Sequence, residues 1–152
     1  MADLYRIVNV PTSVWIDERG RIVRPNDAAF GNDTFVALHG IPSGPHLDAL
    51  RAWVTEGKVP YDEGGIRARQ VLPTADDQRA RTEFTLAWYL HRQGRTEAAE
   101  RHFVRAGELA PHDFTIRRGS MPIRGLDPMG PDFAALYTEW AEKGMPYYHR
   151  LG

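Results

Sequence analysis

The sequence predicts an α+β protein in which a short β-hairpin and a helix are joined to a helical hairpin and a final helix. Three observations carry this. Residues 12–16 and 22–23 are β-branched and aromatic, and they flank the turn-forming run Glu18-Arg19-Gly20. Leu47, Leu50, Trp53 and Val54 recur with the helical period. Residues 76–93 and 96–109 are two apolar-striped stretches separated by Gly94-Arg95.

Composition bounds what such a chain can do. At 152 residues it is long enough for one domain or two small units. Hydrophobic residues are 42% and charged residues 26%, which describes a folding chain and not a disordered one. A net charge of −1 offers no general attraction to nucleic acid or to an anionic membrane. There is no cysteine, so disulfides, thiol nucleophiles and thiolate metal ligands are excluded. The start of the chain has an early aspartate and no apolar core of a signal peptide, and no run reaches the roughly 18 apolar residues of a membrane span. The expected location is cytoplasmic, with no cofactor.

Residues 4–8 read as a lead-in or an edge strand. Val10 precedes Pro11 and is held extended. The strand 12–16 lacks polar alternation, as befits burial on both faces. Gly20 allows the turn, Ile22 and Val23 return antiparallel, and Pro25-Asn26-Asp27 ends the strand. Residues 28–44 read as loop with one helical turn after Asn32 or Asp33. The helix 45–56 has proline at its first position and Gly57 as its stop.

Residues 58–75 read as linker because Pro60, Gly64, Gly65 and Pro73 interrupt any pattern; Thr74 or Asp76 can cap the following helix. The domain division expected is 1–60, a linker 61–75, and a helical unit 76–152. In the helical unit Phe84, Leu86, Ala87, Trp88 and Leu90 face Ala98, Ala99, Phe103, Ala106 and Leu109. Residues 111–131 are rich in Pro and Gly and read as irregular. Asp132 caps a last helix carrying Phe133, Leu136, Tyr137 and Trp140 at helical spacing. The tail 145–151 is aromatic enough to lie on an apolar surface.

Two resemblances follow from these residues. The order of proline, strand, turn, strand and helix over residues 7–57 resembles the closing half of a thioredoxin fold. Gln93-Gly94 at the turn, with Leu86, Ala87, Ala99, Phe103, Ala106 and Pro111, resembles one tetratricopeptide repeat; Glu83 departs from it by standing where an aromatic residue is usual. Together with the segment Arg117-Arg118-Gly119-Ser120-Met121-Pro122-Ile123-Arg124-Gly125, the chain resembles the C-terminal half of TlpA/redoxin-like proteins with a helical extension. The resemblance implies an incomplete thioredoxin-like unit with a cis bond before Pro11; the residues alone allow an ordinary trans proline opening an edge strand. The cysteine-bearing half is missing, so no redox activity carries over.

Candidate sites are few. Val10, Pro11 and Thr12 form the loop that would face a partner in extended conformation. Arg117, Arg118 and Arg124 either bind an anion or pair with Asp113, Asp127 or other carboxylates to hold an irregular loop; the pairing is the favoured reading. Ser120 after two arginines matches a short basophilic kinase pattern of little specificity. The six histidines show no metal-ligand spacing, and the tryptophans sit at core spacing. The function expected is a non-catalytic protein-interaction module derived from a thioredoxin-like protein. The alternative is the C-terminal part of a thiol-disulfide or peroxide-linked oxidoreductase whose catalytic motif lies upstream of Met1. Because a lone two-stranded sheet is marginal in water, the open strand edge is expected to pair in a homodimer, through strands 12–16 or segments 4–8, or to take a protein or peptide partner.

Overall fold

The computed structural model describes residues 5–145, 147, 148, 150 and 151, with Leu38 through its backbone alone. It is an α+β chain that divides into two compact units, Met1–Val71 together with Tyr148–Gly152, and Leu72–Tyr147.

In the first unit β1 (Ser13–Ile16) and β2 (Ile22–Asp27) form an antiparallel pair, with Ser13 opposite Asp27, Trp15 opposite Arg24 and Ile16 opposite Ile22. The turn between them is held by Asp17, whose N–H donates to the Arg21 carbonyl at 2.9 Å and whose carboxylate accepts from the Arg19 and Arg21 N–H groups. Those bonds and the Arg21 side chain hold the Asp17 carboxyl below its ordinary pKa. Gly20 sits at φ 74°, where a side chain would be strained. The strand does not end at Pro25 as the sequence suggested. The register shifts between paired positions let Pro25 lie in the strand, fully buried, without breaking the ladder.

The Val10–Pro11 peptide bond is cis. Residues 5–8 are turn and coil, not strand; Leu4, which began that expected segment, lies outside the described residues. Helix α1 (Val36–His39) is the single turn expected in the 28–44 loop. Helix α2 (Gly44–Glu56) has Pro45 in its first turn and ends at Gly57, φ 68°. Leu47, Leu50 and Trp53 are half-buried, but Val54, assigned to the same stripe, is exposed. The segment read as linker carries helix α3 (Glu63–Arg69). Two glycines argue against a helix there, yet Asp62 caps it through the Gly65 N–H at 2.7 Å, and Glu63 pairs with Arg67 one turn on.

The second unit is helical. Helix α4 (Ala75–Arg92) begins with a capping box: Thr74 accepts from the Asp77 N–H, and Asp77 accepts from the Thr74 N–H at 2.7 Å. Such a cap contributes about 1 kcal/mol. Helix α5 (Thr96–Leu109) returns antiparallel after Gly94. The core between them is made of small residues that permit close approach, Ala80, Ala87, Ala99 and Ala106, with Leu90 and Phe103 filling the space. Trp88 and Leu86, expected in this core, are exposed instead. Trp88 stacks on His91 along the outer face of α4.

Residues 111–131 are more ordered than their Pro and Gly content suggests. Asp113 is the N-cap of helix α6 (Phe114–Ser120), accepting from the Thr115 and Ile116 N–H groups at 2.9 and 3.2 Å. A 3-10 turn, Pro122–Arg124, follows. Helix α7 (Pro131–Glu142) starts at Pro131 with Gly130 as its N-cap; Asp132 lies in the first turn and is not the cap. Phe114, Met121, Leu136 and Trp140 form the core here, with Phe133 and Tyr147 against it. The aromatic tail is divided. Tyr147 joins this core, whereas Tyr148 meets Phe30 edge-on in the first unit. Leu151 is likewise in the first unit, donating its N–H to Asp27 at 3.0 Å. Pro146 and His149 lie outside the described residues.

Candidate functional site

Two places gather the residues singled out from the sequence, one in each unit. In the first unit, the loop before β1 is shaped by Asn9, which is buried. Its side-chain oxygen accepts from the Val10 N–H at 2.9 Å, and its carbonyl accepts from the Thr12 hydroxyl at 2.8 Å. This local bonding leaves Val10 facing solvent, 68% exposed, with Pro11 and Thr12 half-buried beside it. Among the described residues β1 pairs only with β2, so its second edge carries backbone groups with no strand partner. Beside the end of β1 lies an open cleft of about 290 Å³ formed by Ile16, Asp17, Glu18, Trp53 and Val54.

Behind the strand is a polar cluster that sequence reasoning missed. Arg24 and Asp27 form an ion pair with both side chains nearly removed from solvent. The Arg24 guanidinium lies 5.2 Å from the Trp15 ring centre and 5.9 Å from that of Tyr61. The His46 ring lies 5.9 Å from that of Trp15, and burial together with Arg24 pushes its imidazole below the usual pKa while Asp27 opposes them. Ser13 Oγ, Arg24 Nε and His46 Nδ1 are buried with no hydrogen-bond partner among the described residues. The available signal was Arg24 and Asp27, opposite charges inside an apolar strand.

In the second unit the three arginines separate. Arg117 forms a two-pronged pair with Glu139 of α7, 3.1 and 2.8 Å. Arg124 forms another with Glu100 of α5, 2.8 and 2.6 Å. The partners are carboxylates, as the favoured reading held, but neither Asp113 nor Asp127 is among them. Arg117 and Lys143 both bond Glu139 and pull its pKa down to about 2; Arg124 lowers that of Glu100. Arg118 goes elsewhere. Its Nε donates to the Pro128 carbonyl at 2.9 Å and its guanidinium covers the Phe133 ring at 4.3 Å, so it ties the 127–130 loop to the aromatic core. Arg117 and Arg124, with Lys143, line one cleft of about 640 Å³ floored by Phe103, Met121 and Leu136. Lys143 and Glu139 were not singled out from the sequence, although their four-residue spacing on a helix was the signal. Ser120 is 2% exposed and donates to the Arg117 carbonyl, which removes it from the reach of a kinase.

Among the described residues there is no cluster of three or more potential metal ligands, and no helix is long and apolar enough to cross a membrane. No protein-family model, curated protein or solved structure matches the chain.

Proposed function

We propose that this chain is a non-catalytic interaction module that accepts an extended segment along the open edge of β1, and that a second copy of the chain is the simplest occupant. One observation carries the reading. β1 has a strand neighbour on one side only among the described residues, with exposed Val10 in the loop before it and exposed Ile16 at its last position. An added strand satisfies the waiting backbone groups, and apolar side chains at the ends define where it stops. The thioredoxin-like and tetratricopeptide-like ancestry belongs to the same proposal. It is supported by the order β1, β2, α2, and by the small-residue packing of α4 on α5.

A second reading rests on the exposed loop at Val10. In it the strand that pairs with β1 belongs to a longer polypeptide, which also brings the redox motif of an oxidoreductase.

Light scattering across a dilution series tests the first reading. The mass is expected to rise from 17.2 kDa toward twice that value with concentration. Ile16→Lys, which places a charge on the edge, is expected to return it to one chain. A single-chain mass at every concentration sinks the second-copy reading and leaves the longer-polypeptide one.

A further inference from the structure

The methionines of the second unit are placed very differently. Met121 is buried in the core, 6% exposed, and Met145 packs half-buried against the same core. Met129 is 75% exposed. A thioether open to water is open to oxidants, and oxidation turns an apolar side chain into a polar one. At Met121 that change would disrupt packing; at Met129 no core depends on the side chain.

The loop that carries Met129 is held through its backbone. The Met129 N–H donates to Asp127 Oδ1 at 2.9 Å, and the Asp127 N–H donates to Asp132 of the first turn of α7 at 3.1 Å. Gly130 passes so close that an added β-carbon would run into the Asp127 carboxylate. The thioether is free of this framework and lies on Arg118, whose Nη2 donates to its Sδ. The guanidinium is anchored without help from the sulfur: Nε donates to the Pro128 carbonyl at 2.9 Å, Nη1 donates to the Tyr147 hydroxyl at 3.4 Å, and the group lies 4.3 Å from the Phe133 ring centre. A fixed cationic donor is thus held against one side of an exposed sulfur. A thioether is a weak acceptor, whereas a sulfoxide oxygen carries much of the charge of its polar bond and accepts strongly from a cation.

We propose that Met129 is a peroxide-oxidation site whose sulfoxide oxygen is then held by Arg118. In the reaction the sulfur's open lone pair attacks one peroxide oxygen. The S–O bond forms as the O–O bond breaks, and the proton of the transferred oxygen passes to the departing one, which leaves as water or an alcohol. The sulfur is oxidised by two electrons and the peroxide is reduced by two. Turning about its exposed single bonds, the side chain presents the new oxygen to Arg118 Nη2. Oxidation therefore tightens the 127–130 loop. Arg118 also covers one of the two lone pairs, so oxygen arrives from the other side and one sulfoxide epimer predominates.

Peptide mapping of the full chain during mild hydrogen peroxide treatment tests this. Met129 is expected to oxidise at least about tenfold faster than Met121 and Met145. The epimers are read by digesting the singly oxidised protein and treating the Met129 peptide with the two classes of methionine sulfoxide reductase, each of which restores one epimer. One class is expected to restore most of the sulfoxide from the parent, and the two to share it evenly after Arg118→Gln. Amide exchange at Met129 and Gly130 is expected to slow severalfold on oxidation. Met129→Gln, which offers Arg118 an amide oxygen, is expected to slow it without oxidant. Oxidation of Met129 no faster than of Met145 overturns the proposal. So do equal epimers in the parent, an unchanged bias in Arg118→Gln, or faster exchange of the two amides after oxidation.

Discussion

The indole rings of Trp15 and Trp53 lie stacked, their centres 5.1 Å apart and their planes within 7°. This stack ties β1 to α2, because Trp15 is buried on the strand while Trp53 is half-exposed on the helix. Trp15→Ala is expected to destabilise the first unit by about 3–5 kcal/mol and Trp53→Ala by less. A double-mutant cycle is expected to give about 0.5–1.5 kcal/mol of coupling. Amide exchange in β2 reads the first unit separately from the second, which a single global melt would blur. Additive losses with no coupling would show that the two rings do not support one another.

The Arg24–Asp27 pair makes a contrasting prediction. Asp27→Ala leaves a buried guanidinium without its carboxylate and is expected to cost about 3–5 kcal/mol. The paired change Arg24→Met with Asp27→Leu removes both charges together with the unpartnered Nε, and is expected to lie much closer to the parent. The urea dependence of amide exchange in β2, which reads the first unit alone, compares the two. A double variant as unstable as the single one would mean that the pair itself, and not the isolated charge, sets the cost.

Glu139 gives the acid limb of the second unit. Its folded pKa, about 2, lies below the ordinary 4.5, so its stabilising contribution is complete above the unfolded value and is lost as pH falls from about 4.5 to about 2. The side chain is 37% exposed, and solvent screening reduces the contribution to about 1 kcal/mol. The Tm difference between the parent and Glu139→Gln is expected to be largest near neutral pH and to fade toward pH 2. A constant difference across that range would contradict the shifted carboxyl.

Asp113 does two jobs: it caps α6, and it pairs with Arg81 of α4. Burial pushes its carboxyl pKa up against the opposing pull of Thr115, Arg81 and Ile116. Asp113→Ala is expected to cost about 2–4 kcal/mol, the cap supplying about 1 of this and the broken pair the rest. Asp113→Asn keeps an oxygen for the Thr115 and Ile116 N–H groups and is expected to lose less, as chemical denaturation of the helical unit would show.

Much of this architecture was readable from residue order. Pro45 and Gly57 bracket α2, Gly94 separates α4 from α5, and Gly20 turns the hairpin, because each of these residues restricts or frees the backbone wherever it stands. What the sequence hid depends on neighbours distant along the chain. α3 and α6 contain glycine and are short, so their helicity rests on Asp62 and Asp113 as caps and on tertiary support more than on periodicity. Trp88 looked like core by spacing, and only the packing of α4 shows that its face is turned outward. The candidate site followed the same rule. Arg117, Arg118 and Arg124 were visible as cations, but their separate destinations are set by Glu139, Phe133 and Glu100, 15 to 24 residues away.

The bond from the Leu151 N–H to Asp27 spans 124 positions of sequence. Its consequence concerns order in time. The second unit is an insertion within the first, since the first takes up the chain again at Tyr148. On a ribosome, α4 to α7 are all synthesised before the last residues of the first unit exist. The inserted unit can therefore close while its host is still waiting for its final strand of contacts. A polypeptide stopped after Tyr147 is expected to keep slow amide exchange in α4 and α5 and to lose it in β2. Equal protection in both would show that the late-arriving residues are dispensable to the hairpin.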